Sequence, residues 1–165
     1  MIINRVWAMP NKWTFKIKPI RKLLDRYVKA GQIWIDPFAG MNSPASITND
    51  IDISKNVEYH EDGLEFLKRF NNYAYGALFD PPYTVEQCLR KYKAAYKGTA
   101  GRTEYHSECK KAISRALKIG GISISFGYDS GGIGKKHGFE IIEILLVCHG
   151  ACHYDTIVTV DKKIK

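Results

Sequence analysis

Long apolar runs are missing from this 165-residue chain. No stretch is long enough to span a bilayer, and the first residues do not have the pattern of a signal peptide. The four cysteines do not form the disulfide framework that is typical of small secreted proteins. We therefore expect a cytoplasmic protein without a membrane partner.

Glycine-rich nucleotide-binding motifs are also missing. No G-x-G-x-x-G follows the first predicted strand, which argues against a nicotinamide-dependent oxidoreductase. The segment "GGIGKK" around Gly134 departs from a phosphate-binding loop. Asp129 stands where that loop needs its first glycine, and Lys136 stands where it needs Ser or Thr. We expect a basic surface loop here, with Lys135 contacting a nucleic-acid phosphate.

A possible metal-binding segment lies near the C-terminus. "CHGACH" offers four side chains that can bind zinc: Cys148, His149, Cys152 and His153. The segment joins two predicted strands, and alternate residues near a hairpin point to opposite sides. We therefore expect no metal site.

Acidic residues are outnumbered by basic ones, with 17 Asp and Glu against 25 Lys and Arg, which gives a net charge of +8. Such a charge favours a polyanionic partner, and nucleic acid is the usual one. After position 89, basic residues interleave with tyrosines, a pattern typical of contacts with phosphates and splayed bases. A solvated helix face has the same pattern. The residues predicted to contact nucleic acid, besides Lys135, are Arg90, Lys93, Lys97 and Arg102.

Hydrophobic periodicity predicts an α/β fold. Helical spacing covers residues 19–29, 63–70 and 110–118, and Gly120 and Gly121 are expected to end the last helix. The predicted strands are "QIWID", "SITND", "VEYH", "YGALFD", "ISISF", "FEIIEILLV" and "DTIVTV". Strands that alternate with helices, followed by a hairpin, indicate a three-layer sandwich. Its sheet is expected to be mostly parallel with a terminal antiparallel strand pair, in a single domain over residues 1–165.

Acidic or amide side chains follow several of these strands: Asp36, Asn49, Asp50, Asp62 and Asp80. Ligands of open α/β sheets bind beyond the carboxyl ends of the strands, so these side chains are expected at a binding site. Carboxylates suit hydroxyls, amines and cations better than phosphates. The pattern therefore favours a ligand such as a nucleoside with an amino-acid tail.

Two short motifs follow predicted parallel strands, "DPFAG" at Asp36 and "DPPY" at Asp80. Together and in this order, they resemble the cofactor motif D/E-x-F-x-G and the catalytic motif D/N/S-P-P-Y/F/W of S-adenosylmethionine-dependent amino methyltransferases. These enzymes act on the exocyclic amine of adenine or cytosine. "RVWAMPNKWTFKIKPI", "ITNDID" and "SFGYDSGGIGKKHGFEIIEILLVCHG" extend the resemblance over nearly the whole chain, to the small DNA adenine methylases of phages and prophages. Many members have a second glycine after "F-x-G", where this chain has Met41, Asn42 and Ser43.

The resemblance implies a Rossmann-like methyltransferase fold that binds S-adenosylmethionine. Asp50, or alternatively Asp52, would accept from the ribose hydroxyls, and Asp62 from the adenine amine of the cofactor. Phe38 would pack near the cofactor, and the N-terminal segment would close over its methionine end. The residues expected at the cofactor are Lys12, Trp13, Thr14, Phe15, Asp36, Pro37, Phe38, Gly40, Asp50, Asp52, Asp62 and Gly63. Core packing is an equally good explanation for Phe38 and Trp13.

The catalytic residues implied by the second motif are Asp80, Pro81, Pro82 and Tyr83. The Asp80 carboxylate and the Pro81 carbonyl would each accept one hydrogen of the target amine. These two acceptors localise the nitrogen lone pair and favour the positive charge that develops on it. The Tyr83 ring offers a surface on which the base can stack. We call residues 80–83 the catalytic corner. A base inside a duplex must be flipped out to reach it.

The function expected from the sequence is transfer of a methyl group to the N6 amine of adenine in DNA. The substrate would be a duplex with base flipping or a single strand, and the sequence preference short or weak, since no separate target-recognition domain is expected. N4-cytosine methylation and adenine-N6 methylation of RNA are the alternatives, and a DNA-binding protein without catalysis is a further one. The chain would act as a monomer or homodimer, in the host cytoplasm if a phage encodes it.

Overall fold

The computed structural model describes residues 1–82, 103–150 and 153–165. The described strands are β1 (Ile2–Trp7), β2 (Trp34–Asp36), β3 (Ile47–Thr48), β4 (Ala74–Phe79), β5 (Leu117–Gly127), β6 (Phe139–Cys148) and β7 (Thr156–Lys163). The described α-helices are α1 (Lys18–Tyr27), α2 (Gly63–Lys68) and α3 (Thr103–Ala116). Short 3₁₀ helices cover Thr14–Lys16 and Lys135–His137.

These strands form one seven-stranded sheet in the order β1-β6-β7-β5-β4-β2-β3. Strands β3, β2, β4 and β5 pair in parallel, and β1 pairs in parallel with β6. Strand β7 lies between β5 and β6 and is antiparallel to both. The predicted fold class, a mostly parallel sheet with a terminal antiparallel pair, is confirmed.

The sheet is covered on both faces. Helix α1 buries Ile20, Leu23 and Leu24 in a cluster that includes Leu78 of β4. Neighbouring strand residues point to opposite faces, and Phe79 accordingly belongs to the second cluster, with residues of α2 and α3. The layers are therefore helix, sheet and helix. None of the helices in the described ranges is long and apolar enough to cross a membrane.

Three local predictions were wrong. Strand β1 was not predicted, and "VEYH" forms only an isolated bridge, between Asn49 and Tyr59. Helix α3 ends at Ala116, so Gly120 and Gly121 lie inside β5 instead of ending a helix. The pairing of β4 with β5 changes register here. Gly121 approaches the backbone so closely that a β-carbon would lie 2.7 Å from the Tyr75 carbonyl oxygen, which explains the glycine.

Candidate functional site

A cavity of about 310 Å³ lies where β2, β3 and β4 end. Many residues predicted at the cofactor and the catalytic corner line it: Lys12, Trp13, Thr14, Phe15, Phe38, Gly40, Asp50, Asp52 and Asp80. The structure thus brings the N-terminal segment, both motifs and the acids after β3 to one place. The volume of the cavity is at the lower end of the usual range for small-molecule sites, roughly 300–1,000 Å³.

Four lining residues were not predicted: Ala39, Met41, Asn42 and Lys55. Ala39 lies inside the "DPFAG" motif, and Met41 and Asn42 follow it directly, so adjacency to the motif was the available signal. Lys55 had no such signal, because its place depends on how the loop after β3 folds back.

Asp36 lies beneath the cavity and is fully buried. Its two carboxylate oxygens accept hydrogen bonds from the Phe38 backbone N–H (3.0 Å) and the Ser43 hydroxyl (2.6 Å). Burial raises the pKa of Asp36 to about 7, and the nearby charges of Asp80 and Asp50 add to this effect. Asp36 was predicted at the cofactor, but here it supports the loop that lines the cavity.

Asp50 holds the same loop from the other side. One carboxylate oxygen accepts from the Gly40 N–H at 3.0 Å, and the other accepts from the Asp52 N–H at 2.9 Å. Gly40 has φ = 58°, a left-handed conformation that favours glycine. The Pro37 carbonyl accepts from the amide of Asn49 at 2.9 Å, so Pro37 also anchors the loop. Asp50 is 2% exposed and therefore chiefly stabilises the loop, although it also borders the cavity.

Asp52 is more accessible than Asp50 and lies 3.1 Å from the ammonium group of Lys55. Hydrogen bonds from Ser54, followed by the contact with Lys55, lower the pKa of Asp52 to about 2. Its carboxylate is therefore ionised at neutral pH and can accept hydrogen bonds from ligand hydroxyls. Lys12 and Lys55 place their ammonium groups 5.3 Å and 5.8 Å from the centre of the Trp13 ring, which fixes that ring by cation–π attraction.

Asp62 and Gly63 lie behind Phe38 and do not belong to the described lining of the cavity. Asp62 caps α2 by accepting from the Leu64 and Glu65 N–H groups, and it also accepts from the Tyr105 hydroxyl at 3.0 Å. A β-carbon on Gly63 would lie 2.6 Å from the Phe38 ring. In this structure these two residues, which were predicted at the cofactor, support the Phe38 ring, which forms an aromatic wall of the cavity.

The catalytic corner follows β4 directly. Asp80 lines the cavity, and Pro81 and Pro82 are buried. The Pro82 carbonyl lies 3.1 Å from Nε2 of His106 in α3. A carbonyl oxygen only accepts, so Nε2 donates this bond. Burial lowers the pKa of His106. Predicted residues that lie outside the described ranges are Tyr83, Arg90, Lys93, Lys97 and Arg102.

Two C-terminal segments lie away from the corner. Lys135 is exposed at the start of β6, and β6 runs in the same direction as β4, so Lys135 is at the opposite edge of the sheet from Asp80. His149 donates from Nδ1 to the Ala8 carbonyl at 2.8 Å, and its Nε2 lies 2.9 Å from the Thr156 hydroxyl. Both ring nitrogens of His149 therefore hold the chain together. Within the described residues, no His, Cys, Asp and Glu side chains cluster as metal ligands.

The chemistry of the cavity suits a cationic nucleoside better than a phosphate ester. Three carboxylates and two lysines line it, so acidic groups are in excess, and the carboxylates offer acceptors for hydroxyl and ammonium groups. Aromatic rings of Trp13, Phe15 and Phe38 supply apolar faces that attract onium cations. These acceptors and aromatic faces therefore fit S-adenosylmethionine, which carries a ribose, an ammonium group and a sulfonium.

No family model matches the chain, and no curated protein matches it in sequence. Solved structures with a similar fold include TrmN from Thermus thermophilus, with a TM-score of 0.60 and 17% identity. The likeness covers 90% of this chain and 49% of TrmN, so the chain spans about half the length of that protein.

Two further similar structures contain S-adenosylhomocysteine. One is 1,6-didemethyltoxoflavin-N1-methyltransferase from Burkholderia thailandensis, with a TM-score of 0.63 and 10% identity over 90% of this chain and 78% of that one. The other is SMU.1697c from Streptococcus mutans, with a TM-score of 0.56 and 14% identity over 89% of this chain and 97% of that one. At these identities the likeness concerns the fold. The chain has the Rossmann-like α/β fold of methyltransferases.

Proposed function

We propose that this chain is a methyltransferase that transfers the methyl group of S-adenosylmethionine to the N6 amine of adenine in DNA. The observation that carries the proposal is that Asp80 borders the same cavity as Phe38, Gly40 and Asp52. An acceptor for the target amine thus lies next to a site that suits the cofactor. The fold, which two proteins holding S-adenosylhomocysteine share, supports the cofactor assignment.

Specific residues would hold the cofactor. Asp52 would accept from the ribose hydroxyls, since it is ionised and accessible, whereas Asp50 is engaged by the loop. Phe38 would pack against the adenine ring, and the segment from Lys12 to Phe15 would cover the methionine end. Asp62 would act indirectly, by capping α2 behind the Phe38 ring. When bound, the cofactor supplies an electrophilic methyl group on a sulfonium.

The catalytic corner would prepare the acceptor amine. Its nitrogen is a poor nucleophile, because its lone pair is delocalised into the ring. Asp80 would accept one amine hydrogen and the Pro81 carbonyl the other, which localises the lone pair and stabilises the positive charge that develops. The nitrogen loses one proton after transfer, and the Asp80 carboxylate is the acceptor nearest to it in this scheme. Tyr83 would stack on the flipped base.

A nucleic acid is proposed as the substrate because the chain carries a net charge of +8 and a basic run follows the catalytic motif. DNA is proposed over RNA because the two motifs together resemble those of DNA adenine methylases. We assign the phosphate contacts to Arg90, Lys93, Lys97 and Arg102, as the sequence predicts. Lys135 would reach only a phosphate on the far side of the sheet. We propose a short or weak sequence preference. We propose that the protein is active in the cytoplasm.

The test is methyl transfer from isotopically labelled S-adenosylmethionine to duplex DNA, single-stranded DNA and RNA. Each polymer is then digested to nucleosides for mass spectrometry. We expect N6-methyladenine from DNA with the wild type and a loss of at least about 100-fold with Asp80→Ala, the order seen when one preorganised hydrogen-bonding group is removed. Asp80→Asn keeps one acceptor oxygen and should retain more activity than Asp80→Ala.

Other products would redirect the proposal. N4-methylcytosine, or N6-methyladenine in RNA alone, would assign the alternatives. Equal activity of the wild type and Asp80→Ala would refute the role of the corner.

A further inference from the structure

A second, smaller cavity of about 90 Å³ flanks the catalytic corner on the side of α3. Its lining includes Phe79, His106, Lys110, Ser125 and Asp129. Both cavities border the end of β4, because Phe79 lines the second and the next residue, Asp80, lines the first. The cavity is several times larger than one ordered water needs.

Ser125 borders this cavity, and its hydroxyl oxygen is buried and unpartnered among the described residues. Ser125 is 9% exposed, and its Oγ has no hydrogen-bond partner in the described part of the chain. Leaving a buried hydroxyl unpaired is unfavourable, so such a group in a cavity wall is a sign of a ligand that pairs with it. Ser125 is opposite Phe79 in the pairing of β4 and β5, which places the hydroxyl beside the corner.

A row of similar groups continues away from the cavity. Ser123, Thr159 and Asp161 lie on the same sheet face, and each also has a buried oxygen without a partner among the described residues. Of these four side chains, Ser125 borders the cavity. Ser123 has the same side chain on the same face of β5, two residues before Ser125, and is therefore a matched control.

The charged residues around the cavity have opposite signs, so they favour neither a cation nor an anion, and a neutral polar group is compatible with both. Lys110 would repel a cation, and Asp129 would repel an anion. Asp161 lies under the adjoining loop, where its Oδ2 accepts from the Ile133 N–H at 3.1 Å. The Phe79 ring in the wall suits an aromatic ring edge. His106 joins this wall to the corner, since it borders the cavity and donates to the Pro82 carbonyl.

We propose that the second cavity receives the ring edge of the methyl-acceptor adenine, and that the Ser125 hydroxyl donates a hydrogen bond to one of its ring nitrogens. This inference rests on the proposed function and names how the acceptor is recognised. Ser125 is then a specificity-determining residue, because the base is read at its ring edge while its amine is held at Asp80.

The test pairs a change in the protein with a change in the substrate. Wild type, Ser125→Ala and Ser123→Ala are assayed on single-stranded oligonucleotides with adenine, 1-deazaadenine, 3-deazaadenine or 7-deazaadenine as the acceptor. We expect Ser125→Ala to raise KM for the adenine strand about 3- to 10-fold, the range for one neutral hydrogen bond. Ser123→Ala should leave KM unchanged, and neither variant should lower the melting temperature.

The analogues identify the contact. One deaza analogue should be a several-fold poorer substrate for the wild type, and this penalty should disappear in Ser125→Ala, since the two changes remove the same bond. The inference is overturned if both serine variants match the wild type, or if every deaza penalty persists in Ser125→Ala.

A second measurement separates this inference from the proposed function. If the wild type methylates no polymer, the proposed function fails, and binding of adenosine in the presence of S-adenosylhomocysteine is then followed by ligand-observed NMR. Weaker binding by Ser125→Ala alone would keep the cavity assignment. Equal binding by the wild type and both variants, or no binding at all, would refute it.

Discussion

Gly63 sets the position of the aromatic wall of the larger cavity. A β-carbon at this residue would lie 2.6 Å from two atoms of the Phe38 ring and 3.3 Å from the Pro37 carbonyl oxygen. Ordinary contact begins near 3.4 Å, so Gly63→Ala requires the ring to retreat by about 0.8 Å. The ring cannot retreat freely, because Phe79 and Tyr105 pack against it with ring centres 6.0 Å and 6.5 Å away.

We expect Gly63→Ala to destabilise the protein by about 1–3 kcal/mol, the usual cost of overpacking. For a chain of this size the melting temperature should fall by roughly 3–10 °C. Alanine is otherwise the better helix former, so any net loss of stability reports the clash. Phe38 also borders the cavity, and its displacement should weaken binding of S-adenosylhomocysteine about tenfold, or about 1.4 kcal/mol.

The assays are denaturant unfolding and calorimetric titration, and the control is a double-mutant cycle with Phe38→Leu. The smaller side chain makes room for the new methyl group, so Gly63→Ala should cost less stability in the Phe38→Leu background than in the wild type. The reasoning is refuted if Gly63→Ala is as stable as the wild type, or if its cost is the same in both backgrounds.

Two further predictions concern the carboxylates of the site. The pKa of Asp36 is about 7 in the folded protein against an ordinary value of 3.8, so the folded state binds more protons between these values and stability falls as pH rises through this window. Asp36→Asn should remove about 3 kcal/mol of this dependence when unfolding is measured at pH 5 and pH 8, because about two pH units of the window lie between them; an unchanged difference would contradict the burial of that charge. Asp52→Ala should weaken S-adenosylhomocysteine binding about tenfold with little change in melting temperature, whereas Asp50→Ala should lower the melting temperature, because Asp50 holds the Gly40 N–H. Equal effects of the two variants on melting temperature would contradict this division of roles.

The fold was predictable from the sequence where periodicity was strong. Helix α1 and strands β4 to β7 have long apolar patterns, and the antiparallel pair followed from a short connection between two such runs. Strand β1 was missed because its residues are largely exposed, so no burial pattern distinguishes it. The place of Gly120 and Gly121 was missed because a register change between strands depends on the partner strand, which local sequence does not specify.

The location of the site was also predictable, since motif residues follow parallel strands and these strands end at one edge. The division of work among the acids was not. Asp36 and Asp50 are both engaged by the loop they follow, and Asp62 caps α2. Which acid faces a ligand depends on loop geometry, and sequence spacing does not determine that geometry. Lys55 and Ser125 were missed for the same reason, because neither belongs to a motif.

The claim on which the rest of the account depends is that the larger cavity binds the methyl donor. Calorimetric titration of the wild-type chain with S-adenosylhomocysteine tests it most directly, because it requires no knowledge of the acceptor. The account predicts saturable binding of one molecule per chain. The absence of any binding up to about 1 mM, where the binding free energy would be weaker than about −4 kcal/mol, would contradict it.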